Sequence, residues 1–206
     1  VDTPHAAATF IADSLVASDL SGHPSHGVIR CPQYLEVVDL GFIDPVVAPE
    51  VVSIDGATVK IDAKFGWGQP AMQLATEQTL ALAKSFGIAI GVVENAYHIG
   101  RVAPYVEEVA RDGMIALALA NVGPGVAPYG GRTRVLGTNP IAWAVPGGDP
   151  DHPYCADIAT SQIAEGKGKA PRLFMLAKGK TKADAVWQSN RGDAAEARQV
   201  LGGAAR

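Results

Sequence analysis

Short apolar runs that alternate with helix-patterned segments constrain this chain more than any other feature. GIAIGVV at 87–93 and MIALALA at 114–120 are continuous apolar runs of strand length and read as buried strands. Residues 71–85 and 101–112 are rich in helix formers. EVVSI at 50–54 and ATVKI at 57–61 flank Asp55-Gly56, a hairpin turn signal. IAWAV at 141–145 and the stretch from Tyr154 to Ile158 add two more strand patterns. This alternation predicts an α/β layered core with helices on the faces of a sheet, and the hairpin makes that sheet mixed. Ahead of it a first helix is expected, capped by Thr3 with Pro4 at its first position and apolar residues at Phe10, Ile11, Leu15 and Val16. A second carries Tyr34, Leu35, Val38 and Leu40 and stops at Gly41.

With 206 residues and 48% hydrophobic content, the chain can bury a sizeable core, which excludes a disordered or collagen-like chain. No apolar run reaches the roughly 18 to 20 residues that span a bilayer. The start, VDTPHAAATF, lacks a basic-then-apolar leader pattern. Cys31 and Cys155 are too few for a disulfide framework, so a cytoplasmic protein without a membrane partner is expected. The net charge of −4 argues against a nucleic-acid partner. That average conceals a break: residues 1–166 carry 8 Lys and Arg against 18 Asp and Glu, whereas residues 167–206 carry 9 against 3.

Several segments carry groups suited to chemistry. In SHGVIR, His26 and Arg30 stand four apart and share a face if a helix starts near Pro24 or Ser25. An imidazolium can protonate a substrate carbonyl while a guanidinium grips a carboxylate in a fork; the ordinary alternative is a helix start held by backbone carbonyls. His98 follows the apolar strand 87–93 and precedes a helix, where α/β sheets place ligands. Asp157 could orient a catalytic imidazole by accepting its second N–H. GTNPIAWAVP at 137–146 and DIATS at 157–161 offer hydroxyl and amide donors for phosphate or ribose. Gly66-x-Gly68-x-x-Ala71, with Glu94 beyond the next strand, reads either as a dinucleotide fingerprint or as a tight turn. A metal site of His23, His26 and His98 with Asp19 lacks the usual ligand spacing, so no metal is expected.

ADSLVASDLSGHPSHGVIRCPQYL, DAKFGWGQPA, the stretch from Gly87 to Arg101, LGTNPIAWAVP and DIATSQIAEGK occur in this order over roughly 11–167. Together they resemble the NAD(P)-dependent malate/L-lactate dehydrogenase family, which includes sulfolactate and ureidoglycolate dehydrogenases. The resemblance implies a mixed sheet that is not a Rossmann fold, with FGWGQPA as a turn and helix start. It implies a homodimer, NAD or NADP as cofactor, and a small carboxylate as substrate. Carried over by motif, the catalytic residues are His26, Arg30, His98 and Asp157. The cofactor contacts fall on Asn121, Thr138, Asn139, Pro140, Ile158, Thr160, Ser161 and Lys167. Val122 stands where family members often have Ser or Thr. The implied organisation is an N-terminal helical, substrate-side segment at 1–60, a cofactor-binding mixed-sheet domain at 61–166, and a poorly ordered basic tail at 167–206 unlike the family. That tail makes the fold incomplete at the C-terminus, so the alternative to a 2-hydroxy acid dehydrogenase is an inactive, truncated fragment of one. A metal-dependent hydrolase is a more distant alternative.

Overall fold

A computed structural model describes residues 2–161. The expected tail at 167–206, Lys167 included, lies outside the described residues. The described residues divide into two units, 2–118 with Ala142–Asp157, and Leu119–Ile141 with 158–161.

Helix α1 spans His5–Leu20. Pro4 occupies its N-cap position without a side-chain cap, and the Thr3 hydroxyl instead accepts the Trp67 indole N–H at 3.1 Å. The expected Thr3 cap is therefore replaced by a tertiary bond. Two short 3-10 turns, Pro24–His26 and Val28–Arg30, lead into α2 at Cys31–Asp39. Ile11 and Leu15 of α1 pack with Tyr34 and Val37 of α2, and Ile43 and Trp67 close the cluster.

Strands β1 (Glu50–Asp55) and β2 (Thr58–Asp62) form the expected antiparallel hairpin. Asp55 pairs with Thr58, so the two-residue loop is Gly56-Ala57, one position beyond the predicted dipeptide. Its first residue has φ +54, a conformation glycine adopts without strain. Strand β3 (Ile90–Glu94) pairs parallel to β2, which requires a crossover. Helix α3 (Gly68–Phe86) supplies it, starting three residues before the predicted segment. Val59, Ile61 and Ala75 form the buried seam between strand and helix, with Leu74, Leu82 and Val93 against it. The expected domain limit at 60/61 falls inside β2.

A second three-stranded sheet has the order β4-β5-β6, made of Ala116–Leu119, Ile141–Val145 and Tyr154–Ile158. Helix α4 (Ala103–Arg111) lies on it through Val106 and Ala110, with Val102 just before the helix, against Ala142 and Ala144. The described residues thus form a mixed α/β structure with two small sheets rather than one continuous sheet.

The two continuous apolar runs are not buried as predicted. Ile88, Ile90 and Val92 are 73%, 59% and 45% exposed, and Ile115 and Leu117 are exposed as well. An apolar residue at every position calls for cover on both faces of a strand. Among the described residues a helix covers one face only: Val93 and Ala118 are packed, and their neighbours in sequence are not.

Between β2 and α3 the backbone turns through Lys64 and Phe65, both left-handed at φ 54 and 58, a conformation that costs about 1–3 kcal/mol per non-glycine residue. One local and two tertiary bonds hold it. The Lys64 N–H donates to Asp62 Oδ1 at 2.8 Å, the Phe65 N–H to Asn95 O at 2.8 Å, and the Asp44 N–H to Phe65 O at 3.1 Å. Accepting from Lys64 and from the Asn95 amide holds the Asp62 carboxyl below the usual carboxylate range.

One-sided cover makes a test. Ile61→Ala removes a fully buried side chain and should cost about 2–5 kcal/mol in urea unfolding. Ile90→Ala on the uncovered face should stay within about 0.5 kcal/mol of wild type. Equal losses at the two positions would contradict the one-sided packing.

Candidate active site

His26 and Arg30 do not share a helical face. Gly27 is extended, with φ −89 and ψ −157, and separates two 3-10 turns where one helix was expected. The Asp19 carboxylate, at the end of α1, accepts the Val28 N–H at 3.0 Å and ties the second turn down. The pair converges through Ser25 instead. The Ser25 hydroxyl lies 3.0 Å from His26 Nδ1, and its carbonyl accepts Arg30 Nε–H at 2.6 Å.

Arg30 is only 5% exposed. Its Nη1 donates to Gln33 Oε1 at 2.7 Å, and Gln33 Nε2 donates onward to the Tyr97 hydroxyl at 3.0 Å. Both acceptors on the guanidinium are neutral, and among the described residues no carboxylate forms a salt bridge with it. A buried cation without a counter-ion is costly, and two bonds use two of its five N–H donors.

His98 reaches the same place from the end of β3. Its ring stacks on that of His26, with centroids 5.4 Å apart and planes 20° from parallel. Its Nδ1 lies 2.7 Å from the Tyr34 hydroxyl, which also accepts Gln69 Nε2–H at 2.7 Å. Burial, partly offset by the Arg30 charge, pushes the Tyr34 phenol far above its ordinary value, so it stays protonated.

The 97–98 backbone can sit there because α3 begins at a residue without a side chain. A Cβ on Gly68 would overlap the carbonyls of Tyr97 and His98, and the Tyr97 N–H bonds to Gly66 O at 3.4 Å. This removes the dinucleotide-fingerprint alternative for Gly66-x-Gly68-x-x-Ala71. The space over the helix start, where a pyrophosphate would lie, is taken by the chain itself. Glu94, the supposed ribose acid, pairs with Lys60 at 2.9 Å.

Asp157, near the end of β6, accepts the N–H groups of Val102 and Ala103 through Oδ2, each at 2.8 Å. These N–H groups at the start of α4 have no acceptor within the helix, and a carboxylate is favoured there. Among the described residues no group of three or more His, Cys, Asp and Glu could hold a metal ion.

The expected cofactor residues, Lys167 apart, belong to the second unit, where several come together. Asn139 Oδ1 accepts the Val122 N–H at 3.0 Å, next to Asn121. The Thr160 N–H and hydroxyl both donate to Thr138 O, at 2.9 and 3.0 Å. Pro140 O accepts the Ala120 N–H at 3.2 Å. Asn139 has φ 35, a left-handed value for a non-glycine residue. Ile158 is more than half exposed at the end of β6, and Ser161 is the last described residue.

Comparison with known proteins assigns the chain to a family. Residues 1–173 match the model for malate/L-lactate dehydrogenase. The chain belongs to the malate/L-lactate dehydrogenase family. It is 38% identical over 164 residues to L-sulfolactate dehydrogenase of Methanocaldococcus jannaschii, covering 80% of this chain and 47% of that protein. It is 37% identical over 161 residues to a Delta(1)-pyrroline-2-carboxylate/Delta(1)-piperideine-2-carboxylate reductase of Pseudomonas putida, covering 78% and 47%. Among solved structures, malate dehydrogenase of Pyrococcus horikoshii matches with a TM-score of 0.77 at 34% identity, over 91% of this chain and 53% of that one. The chain thus spans about half the length of the relatives it matches.

Sequence reasoning missed Tyr34, read as a core aromatic, and Gln69, read as part of a turn. The available signals were the repeated four-residue spacing of His26, Arg30 and Tyr34, and a lone amide in the otherwise apolar start of α3. Alanine normally outperforms glycine in a helix by about 1 kcal/mol. Gly68→Ala should reverse that sign and lower the urea midpoint, because the new methyl meets backbone; a stabilised variant would disprove the close approach.

Proposed function

We propose that this protein is an NAD(P)-dependent oxidoreductase that interconverts a small 2-hydroxy acid and its 2-oxo acid, of malate or lactate type. The observation that carries this reading is Arg30, a buried guanidinium near two stacked imidazoles whose acceptors among the described residues are both neutral. A substrate carboxylate would supply the missing counter-charge, received by the guanidinium donors that Ser25 and Gln33 do not use. Such a grip holds the adjoining C2 carbon and its oxygen beside His26 and His98. Reduction then adds a hydride to C2 and a proton to the oxygen, the proton coming from an imidazole.

The segment with Asn121, Thr138, Asn139, Thr160 and Ser161 offers hydroxyl, amide and backbone groups of the kind that bind ribose and phosphate, so its donor set fits a nicotinamide dinucleotide. When bound, that group supplies or accepts the hydride. Pro140, Ile158 and Lys167 complete the proposed contacts. For Asp157 the bonds to Val102 and Ala103 support an anchoring role behind the segment that carries His98, alongside the imidazole-orienting role implied by family motif. The proposed setting is cytoplasmic, consistent with two free cysteines among the described residues. No helix among those residues is long and apolar enough to cross a membrane. The proposed assembly is a homodimer.

The test combines nicotinamide fluorescence titration with turnover on 2-oxo acids and cyclic imine carboxylates. Arg30→Met should lose about 2–5 kcal/mol in kcat/KM for carboxylate substrates, about 30-fold or more, with its main effect on KM. His26→Ala and His98→Ala should each lower kcat by about 100-fold or more. Binding of neither NADH nor NADPH, or unchanged kcat/KM in Arg30→Met, would overturn the reading.

A further inference from the structure

Gln69 is fully buried within a site whose other polar groups have evident uses. Its Nε2 donates to the Tyr34 hydroxyl, itself 4% exposed, and the same hydroxyl lies 2.7 Å from His98 Nδ1. Gln69 Oε1 is buried with no hydrogen-bond partner among the described residues. These three groups form a chain whose direction can be worked out by counting protons.

A phenol has one proton to give. With the Gln69 N–H already directed at its oxygen, the Tyr34 O–H points to His98 Nδ1, which must then be a lone-pair acceptor. A neutral imidazole has one N–H and one acceptor nitrogen, so the His98 proton sits on Nε2. One reverse arrangement keeps the amide as it is, with Tyr34 accepting from both Gln69 Nε2–H and His98 Nδ1–H, and strands the buried phenol O–H without a partner among the described residues. The other turns the amide over, with Oε1 accepting from Tyr34 and Tyr34 accepting from Nδ1–H. That would put two N–H groups where Oε1 now lies and leave both without a partner there. Buried orphan N–H groups are rarer than under-satisfied carbonyls, so the first direction wins.

We propose that Gln69 and Tyr34 are positioning residues that hold neutral His98 in the Nε2–H form, so that it presents an N–H rather than a lone pair to the substrate oxygen. The tautomer follows from the hydrogen-bond chain alone; the use made of it rests on the dehydrogenase reading above. In the 2-oxo acid direction an Nε2–H polarises the C2 carbonyl toward hydride addition. Fixing the tautomer in advance removes a reorganisation step from the reaction. Nearby, Arg30 is held by Ser25 and Gln33, the His26 ring stacks on His98, and Trp67 and Tyr97 pack against the Tyr34 ring.

The experiment is nitrogen NMR of the 206-residue chain with isotope-labelled histidine. The His98 signals are assigned by their loss in His98→Gln. Wild type should show a protonated Nε2 and an unprotonated Nδ1 as one dominant form. Tyr34→Phe should release the ring to a mixture of both tautomers, and Gln69→Glu, whose carboxylate can only accept, should move the proton to Nδ1. If the buried charge of Gln69→Glu prevents folding, as judged by circular dichroism, Tyr34→Phe and the wild-type spectrum carry the test. A proton on Nδ1 in wild type overturns the proposal, as does a tautomer ratio unchanged in every folded variant. Because the spectrum needs neither cofactor nor turnover, its outcome is separate from that of the activity assay.

Discussion

The first unit depends on one close approach, the backbone of Tyr97 and His98 lying against the bare first turn of α3 at Gly68. From that contact the rest of the site follows. The chain leaving β3 is held beside α2, so that His98 meets Tyr34 and Tyr97 meets Gln33. Trp67, one residue earlier, packs into the α1–α2 cluster and takes the Thr3 hydroxyl as its acceptor. The left-handed residues Lys64 and Phe65 aim the chain into this position, held by Asp62, Asn95 and Asp44. Backbone strain and a missing side chain serve the same end, because two backbones cannot approach this closely past a Cβ.

Charge is distributed around the site unevenly. Lys60, Lys64, Lys84 and Arg111 pair with carboxylates at the surface, where such pairs contribute little. Arg30 lies buried with the carbonyl of Ser25 and the amide of Gln33 instead. Those acceptors fix the orientation of the guanidinium without cancelling its charge. A site built this way favours an anionic ligand, since the desolvation cost is already borne by the fold. Malate/L-lactate dehydrogenase family membership is the context in which the dehydrogenase chemistry is proposed for this site.

Much of the architecture was legible along the chain. IAWAV and the Tyr154–Ile158 stretch are strands with the predicted limits, and the hairpin misses its turn by one residue. Local pattern succeeds there because the turn chemistry and the period-two packing act over a few residues. It fails for 87–93 and 114–120, whose continuous apolar character predicts burial on both faces while the described helices cover one. Thr3 illustrates a second kind of failure. Its local environment predicts a cap, and a partner 64 residues away takes the hydroxyl instead.

By itself, the sequence determined the alternation of strands and helices, the family, and the four residues His26, Arg30, His98 and Asp157 as places to look. Each of these is written in residue types at short spacing. Only the tertiary structure decided that His26 and Arg30 meet through Ser25 rather than along a helix. It also decided that the glycine pattern receives the 97–98 backbone rather than a phosphate, and that Asp157 bonds the start of α4. Gln69 and Tyr34 belong to that second group as well. Hydrogen bonding is directional and works over about 3 Å, so partners drawn from α2, α3 and the end of β3 exist as a chain only once packing has brought those elements together.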